Sequence, residues 1–502
     1  MAKRILILIA FVVVVFSPCL QGEFISLDDD THITANPLVA DLSGSSLKQI
    51  FTQTVNKTYI PLTTLTFAVE KHFFGFNPYV FHLDNLLLYV LVVLLVFLLA
   101  HRMGFSLETA FWAALIFAIH PMKAESVAWA TERKDVLYAI FYLLALHQYW
   151  SYLKTQSIKY YLATFVLGAL SMLAKPMAVS LPLILFVFDW FYGRRLSKRV
   201  LLEKGPIFVY IIGFAWMTYA LNMHDPFGYM FPKGILVWIW SLSFYICKFL
   251  FPFQVFPYYV LPRPVSLFYW PYFLSLFLDL GLVWLLVRYR GHKLFVFAFL
   301  YFFCSIFFLF HFDERNFNVV ADRFMFLPGM GICFFVGSWV SQRIKSRGKM
   351  IIFYFILVLM GIRTNLQCQM WHDSINFWSG IIETHPNMRA YNNRGVAYFQ
   401  KKQDDLALKD FNMAIALDPK ALKPYNNRGH IYYLRYQDKK AMADFNKAIS
   451  MYPDYAGTYL NRSLLEKGHQ QYHGALQDAL KAKQLGWPVE DAYIQSLQQQ
   501  IK

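Results

Sequence analysis

The chain is poor in charge and in cysteine, and both shortages narrow what it can be. Only 16% of its 502 residues are Asp, Glu, Lys or Arg, against 57% hydrophobic and 19% aromatic, and the mean hydropathy is +0.37. That balance excludes an ordinary water-soluble domain of this size and predicts a polytopic membrane protein. The five cysteines, Cys19, Cys247, Cys304, Cys333 and Cys368, form no C-x-x-C pair and lie mostly in apolar stretches. Their spacing supports neither a zinc site nor a disulfide framework. The net charge of +16 does not call for nucleic acid. Much of the Lys and Arg sits in runs beside apolar segments (193–199, 288–293, 341–349), and no basic-aromatic platform accompanies them.

What the chain has in quantity is hydrophobic length. Segments able to cross, or nearly cross, a hydrocarbon layer of about 30 Å lie near 5–21, 80–100, 106–120, 136–152, 159–175, 177–192, 205–221, 271–287, 294–310, 325–340 and 350–366. The basic start followed by an apolar run also fits a cleaved signal peptide, but the many later segments favour a retained first span. Lys3 and Arg4 then put the N-terminus in the cytoplasm, and the loops at 101–104, 152–159, 193–204, 288–293 and 341–349 fall on the same side, all basic. The alternation holds only if 235–251 does not cross. We therefore read 222–270 as one external loop with 235–251 re-entrant or interfacial, as Lys248, Pro252 and Pro257 suggest. Eleven spans and an external C-terminus result.

Beyond about residue 370 the composition changes. "YNNRG" begins at Tyr391 and again at Tyr425, and the same offset of 34 relates Ala407 to Ala441, Phe411 to Phe445, Ala414 to Ala448 and Pro419 to Pro453. A third copy keeps Asn461, Arg462, Ala475, Asp478 and Ala482. This period, with small residues where helices meet, is the tetratricopeptide signature. It predicts a membrane domain over 1–370 and a repeat α-solenoid over 371–502. Repeats fall near 388–421, 422–455 and 456–489, with a half-repeat at 371–387 around Phe377 and Ile381 and a capping helix at 490–502. Asn392, Asn393, Asn426 and Asn427 either line a concave face or space the helices.

Three adjacent carboxylates, Asp28-Asp29-Asp30, follow the first span. They would be costly in lipid and mark a watery membrane edge. Further polar clusters occur at His120–Glu125, Arg133-Lys134-Asp135, Lys175 and Asp322-Arg323. The ordered motifs "DDDTHITANP", "YIPLTTLTFAVEKHFFGFNPYVFHLDNLLLY", "AIHPMKAESVAWATERKDVLY", "LAKPMAVSLPLILFVFDW" and "VVADRFMFLP", then the repeats, resemble bacterial relatives of the transmembrane and tetratricopeptide-repeat O-mannosyltransferase-like proteins. These belong to the GT-C class of membrane glycosyltransferases.

The resemblance implies an all-α GT-C-like bundle and inverting transfer of a mannose-like sugar from a polyprenyl phosphate to a hydroxyl. The acceptor would be protein Ser or Thr on the extracytoplasmic face. It further implies paired acids after the first span, with Asp29 as base and Asp28 in support. Glu125, in the His-Pro-x3-Glu loop, would position the acceptor or join a metal site, with His120 beside it. Arg133, Lys134, Lys175 and Arg323 would grip phosphate, Arg323 by its planar fork. Each has a plainer reading: a solvated turn for the triplet, a helix start for Glu125, neutralisation of Arg133 and Lys134 by Glu132 and Asp135, snorkelling for Lys175. Asp313, Glu314 and Arg315 read as loop charges, Asp84 as a cap or a basic group's partner, and Tyr258, Tyr259 and Arg263 as lipid-groove or interfacial residues. The resemblance fixes no cofactor beyond the lipid-linked sugar as donor substrate. A divalent cation is allowed by the acids, although the reading leans to none. The partners implied are the lipid-linked donor, an acceptor polypeptide or protein at the repeats, and membrane lipid. The competing classes are a non-catalytic membrane scaffold carrying a binding array, and a polyprenyl-linked surface-glycan ligase or polymerase. A transporter fits less well, since its charges should follow a path through the midplane.

Overall fold

The structure, a computed structural model, describes residues 1–221, 233–253, 255–310 and 319–501, so Asp313, Glu314 and Arg315 lie outside the described residues. Among the described residues the chain is helical, without a β-strand. It divides into two compact units between Asp373 and Ser374.

The first unit opens with α1 (Ala2–Phe16), α2 (Gly44–Thr52), α3 (Pro61–Phe74), α4 (Pro78–Arg102) and α5 (Leu107–Ile119). It continues with α6 (Ala124–Ala128), α7 (Arg133–Thr155), α8 (Ile158–Ala174), α9 (Leu181–Tyr192) and α10 (Lys198–Leu221). It closes with α11 (Lys233–Leu250), α12 (Trp270–Arg288), α13 (Lys293–Ile306), α14 (Gly329–Arg343) and α15 (Arg347–Met370). Five of the described helices are long and apolar enough to cross a membrane: Ala2–Gln21, α4, α11, α12 and α15. Leu107–Ile119, Ile158–Ala174, Pro176–Tyr192 and Lys293–Leu309 are shorter apolar helices. Large apolar side chains such as Phe277, Leu280, Trp284, Ile351 and Phe355 stand exposed on α12 and α15. That is costly in water and natural for helices facing lipid. The unit is a multi-pass membrane bundle.

Local chemistry sets the helix ends. Asn77 Oδ1 accepts from Tyr79 N at 3.1 Å, with Pro78 in the first turn of α4, and Ser106 Oγ caps α5 through Thr109 N at 3.1 Å. Gly193, at φ 103°, closes α9 in the left-handed conformation that glycine adopts freely. Gly337 lets α14 meet α5 closely, since a Cβ there would lie 2.6 Å from Ala113 N. The 235–251 segment is an unbroken helix that meets the same length and hydropathy measure as α4, so composition alone does not set it apart. Its contacts are informative. Trp238 packs on Phe303 and Phe310, Tyr245 OH accepts from Ala321 N, and Phe249 stacks on His120. These partners all lie towards the end of the bundle that carries the charged cluster described below. Towards the opposite end, Asp189 pairs with Lys204 at 2.6 Å and Arg194 at 2.9 Å, and Tyr149 OH donates to it.

In the second unit α16 (Ser374–Thr384) buries Phe377 and Ile381. Three hairpins follow: α17 (Met388–Gln400) with α18 (Asp404–Leu417), α19 (Leu422–Leu434) with α20 (Asp438–Met451), and α21 (Ala456–Gly468) with α22 (Tyr472–Gln484). Each hairpin is stapled by a bidentate arginine: Arg394 on Asp410, Arg428 on Asp444 and Arg462 on Asp478, all within 2.6–2.8 Å. The asparagines link repeats, Asn427 Nδ2 donating to Asn392 Oδ1 at 3.1 Å and Asn461 Nδ2 to Asn426 Oδ1 at 3.0 Å. α23 (Asp491–Ile501) closes the array by burying Ile494 and Leu497 against Ala475, Ala479 and Ala482.

Candidate functional site

Four polar segments converge at one end of the bundle: the loop after α1, the turns between α5 and α7, the α8–α9 junction and the turn before α14. They surround a cavity of about 520 Å³ whose polar lining is Asp28, Thr58, Glu132, Lys134, Lys175 and Arg323; Met172, Met177, Phe214, Phe308 and Phe324 are among its apolar walls.

The acidic triplet is divided by the turn it makes. Asp29 is fully buried. Its carboxylate accepts from Ile25 N at 2.7 Å, Thr131 N at 3.0 Å and Thr131 Oγ1 at 2.5 Å. It fastens the first loop to the turn before α7. Burial pushes it up to about 6 in spite of these donors. Asp28 is the member that lines the cavity. Burial raises its carboxyl above the usual range, Lys134 pulls it down and Glu132 adds to the rise. The expectation that Asp29 is the base is therefore revised: its oxygens are spent on holding the loop, and Asp28 carries the open carboxylate. Asp30 is exposed and bonds its neighbour Thr31 N at 2.9 Å.

Glu132 is the hub. Its oxygens lie 2.9 Å from Lys175 Nζ, 3.1 Å from Lys134 Nζ and 3.6 Å from Arg323 Nε. Burial would raise its carboxyl, but the three cations outweigh burial and hold it well below the usual range. Lys175 also reaches Asp135 at 2.7 Å, and Ser126 Oγ donates to the other Asp135 oxygen at 2.9 Å. Lys175 sits in extended backbone between α8 and the turn Pro176–Ser180, and Thr63 Oγ1 holds the preceding carbonyl of Ala174 at 2.9 Å. Glu125 is buried and does not line the cavity. It accepts from Arg323 N at 3.0 Å and pairs with the guanidinium at 2.5 Å, so it aims Arg323. Tyr259 OH anchors the neighbouring Asp322 at 2.9 Å.

Two expected substrate ligands lie elsewhere. Arg133 is fully buried, 2.7 Å from Glu70 and 3.6 Å from Asp84, with Nε donating to Asn85 Oδ1 and Nη2 to the carbonyl of Phe81, both at 2.8 Å. Its guanidinium lies over the rings of Phe67 and Phe81. This pairing occupies the fork that was expected to hold phosphate. His120 Nδ1 accepts from Met122 N at the start of a turn, Nε2 bonds the carbonyl of Phe249 at 2.9 Å, and the ring stacks on Phe249 at 4.1 Å. It braces α11 and does not line the cavity. Tyr258 and Arg263 are also outside the lining.

Glu132 and Thr131 were not expected as central. The only sequence signal was the density of charge in "ATERKD", opening a helix at the membrane edge. Among the described residues no group of three or more His, Cys, Asp or Glu side chains is arranged to hold a metal ion.

A multi-pass helical bundle with a cation-rich cavity at one end, joined to a helical repeat array, defines the class. Tetratricopeptide repeat models match residues 389–421 and 422–455. The chain is 34% identical over 194 residues to "Protein O-mannosyl-transferase TMTC1" of Homo sapiens (34% of this chain, 22% of the relative). It is 29% identical over 205 residues to "Protein O-mannosyl-transferase TMTC4" of Homo sapiens (35% and 28%) and 32% identical over 152 residues to "Protein O-mannosyl-transferase TMTC2" of Mus musculus (29% and 18%). The chain thus spans between 18% and 28% of the length of these curated relatives. It is a tetratricopeptide-containing membrane protein that is similar to these relatives over about a third of its own length.

Proposed function

We propose that the membrane unit transfers a mannose-like hexose from a polyprenyl phosphate to a hydroxyl, that of a protein Ser or Thr. The reaction would run on the extracytoplasmic face of a bacterial cytoplasmic membrane, with the N-terminus cytoplasmic and the repeats receiving the acceptor polypeptide. The relatives' names, protein O-mannosyl-transferases, support the sugar and the protein acceptor. The observation that carries the chemistry is one open carboxylate, Asp28, sharing a cavity with Lys134, Lys175 and Arg323.

In this reading Asp28 removes the proton of the attacking hydroxyl. The hydroxyl oxygen bonds to C1 of the sugar as the bond from C1 to the phosphate oxygen breaks, which inverts that carbon. Lys134, Lys175 and Arg323 meet the charge that collects on the departing phosphate. A carboxyl raised by burial suits a base that must take a proton and give it up again. Glu132, Asp135 and Glu125 keep the cations in place and neutralise them while the site is empty.

The test is transfer by the purified full chain from polyprenyl-phosphate mannose to a Ser/Thr peptide, read by mass spectrometry. A hexose added to the peptide supports the reading. Transfer only to a surface glycan replaces it with the ligase, and no transfer by folded protein to either acceptor replaces it with the scaffold.

A further inference from the structure

Cys19 and Cys368 belong to opposite ends of the membrane unit's sequence, yet the fold brings the segments that carry these two free thiols side by side. Cys19 lies in the turn Ser17–Gln21 that leaves α1, and Cys368 in the last turn of α15. Both are buried, at 2% and 1% exposure. The backbone around them is pinned on either side. Asn365 Nδ2 donates to the carbonyl of Val15 at 3.1 Å below the pair, and Glu23 N donates to the carbonyl of His372 at 2.6 Å above it. Two cysteines midway between these two anchor points sit on backbone segments held close enough for a disulfide to be considered.

Their position gives this closeness a consequence. The turn that holds Cys19 leads directly into the loop that carries Asp28 and Asp29. Three residues beyond Cys368, Trp371 stacks on Trp129 at 5.1 Å, and Trp129 precedes the Thr131 that holds Asp29. A bond between the sulfurs would tie the base of the first loop to the same small assembly that the Asp29 clamp secures from the other side.

We propose that Cys19 and Cys368 are joined as a disulfide in the cellular protein. The proposal rests on the extracytoplasmic placement of the site, because only that side offers an oxidising compartment. Both thiols give up a proton and together two electrons. The acceptor is the disulfide of a thiol-oxidising protein, which leaves as a dithiol while the Sγ–Sγ bond forms. Since both sulfurs are buried in the finished fold, the exchange takes place during insertion, before α15 closes over α1.

Cells are quenched with N-ethylmaleimide, the full chain is purified and denatured, and alkylated cysteines are counted by intact mass before and after reduction. The expected result is three of the five cysteines alkylated before reduction and two more after it. A non-reducing digest should also yield a peptide holding Cys19 linked to one holding Cys368. In Cys19→Ser all four remaining cysteines should react without reduction. Five reactive cysteines in the unreduced wild-type chain would overturn the disulfide. An Asp41→Cys variant, at an exposed position in the first loop, is labelled in parallel with a membrane-impermeant maleimide on spheroplasts. Labelling there together with five free thiols sinks the disulfide and leaves the orientation standing. Labelling only after permeabilisation sinks the orientation itself, whatever the thiol count.

Discussion

Exchanging one acid of the triplet at a time separates the chemical role from the structural one. Asp28→Asn keeps the shape of a half-buried side chain and removes its ability to take a proton. General-base contributions run from about 100- to about 10,000-fold, so kcat should fall by that factor, equivalent to about 3–5.5 kcal/mol of barrier. Thermal stability in detergent should change little, because Asp28 is not part of the clamp. Asp29→Asn does the opposite. One of its two oxygens becomes an amide nitrogen, which cannot accept from either Ile25 N or the Thr131 pair. Leaving buried donors unmet costs about 1–3 kcal/mol, so yield and unfolding midpoint should drop while the surviving folded fraction still turns over. The assay is transfer per folded molecule, with donor and peptide both varied, alongside a thermal scan of the same preparation. If Asp29→Asn abolishes turnover in a fully stable protein while Asp28→Asn is active, the assignment of the two carboxylates is wrong.

Lys175→Met leaves Asp135 a buried acid without its cation and takes one of three cations from Glu132, so it should destabilise by about 3–5 kcal/mol. Adding Asp135→Asn should recover part of that loss, and a single variant as stable as wild type would contradict the network. Glu125→Ala frees the Arg323 guanidinium and its backbone N–H together; donor KM should rise about tenfold or more while Arg323→Lys fails to restore it, because an ammonium lacks the fork. An unchanged KM in Glu125→Ala would show that Arg323 needs no such support. Asp29 also predicts a pH signature. Its folded value of about 6 lies above the ordinary 3.8, so the folded state holds the proton longer than the unfolded chain and this group's contribution to stability falls as pH rises from about 4 to about 6. In Asp29→Asn that part of the stability–pH slope should vanish, and an unaltered slope would assign it to another group.

The large features were legible because they repeat or run long. Every apolar segment from 5–21 to 350–366 coincides with a helix, and the 34-residue offset placed Arg428 and Arg462 in equivalent stapling positions. The site was legible only as a set of segments. That Asp28 rather than Asp29 faces the cavity depends on where a turn happens to point two adjacent side chains, and no periodicity encodes that. The links from Arg323 to Glu125 and from Lys175 to Glu132 join residues brought together only by helix packing. Arg133 and Lys134 are neighbours of identical charge in one motif. Yet Arg133 begins α7 facing Glu70 and Asn85 while Lys134 reaches into the cavity, a difference set by the rotation of the helix start.

The most direct test of the account is a structure of the full chain with polyprenyl-phosphate mannose bound. We predict phosphate oxygens within about 3 Å of the nitrogens of Lys134, Lys175 or Arg323, with the sugar turned towards Asp28. A phosphate seated instead near Arg194 and Lys204, towards the opposite end of the bundle, would contradict it.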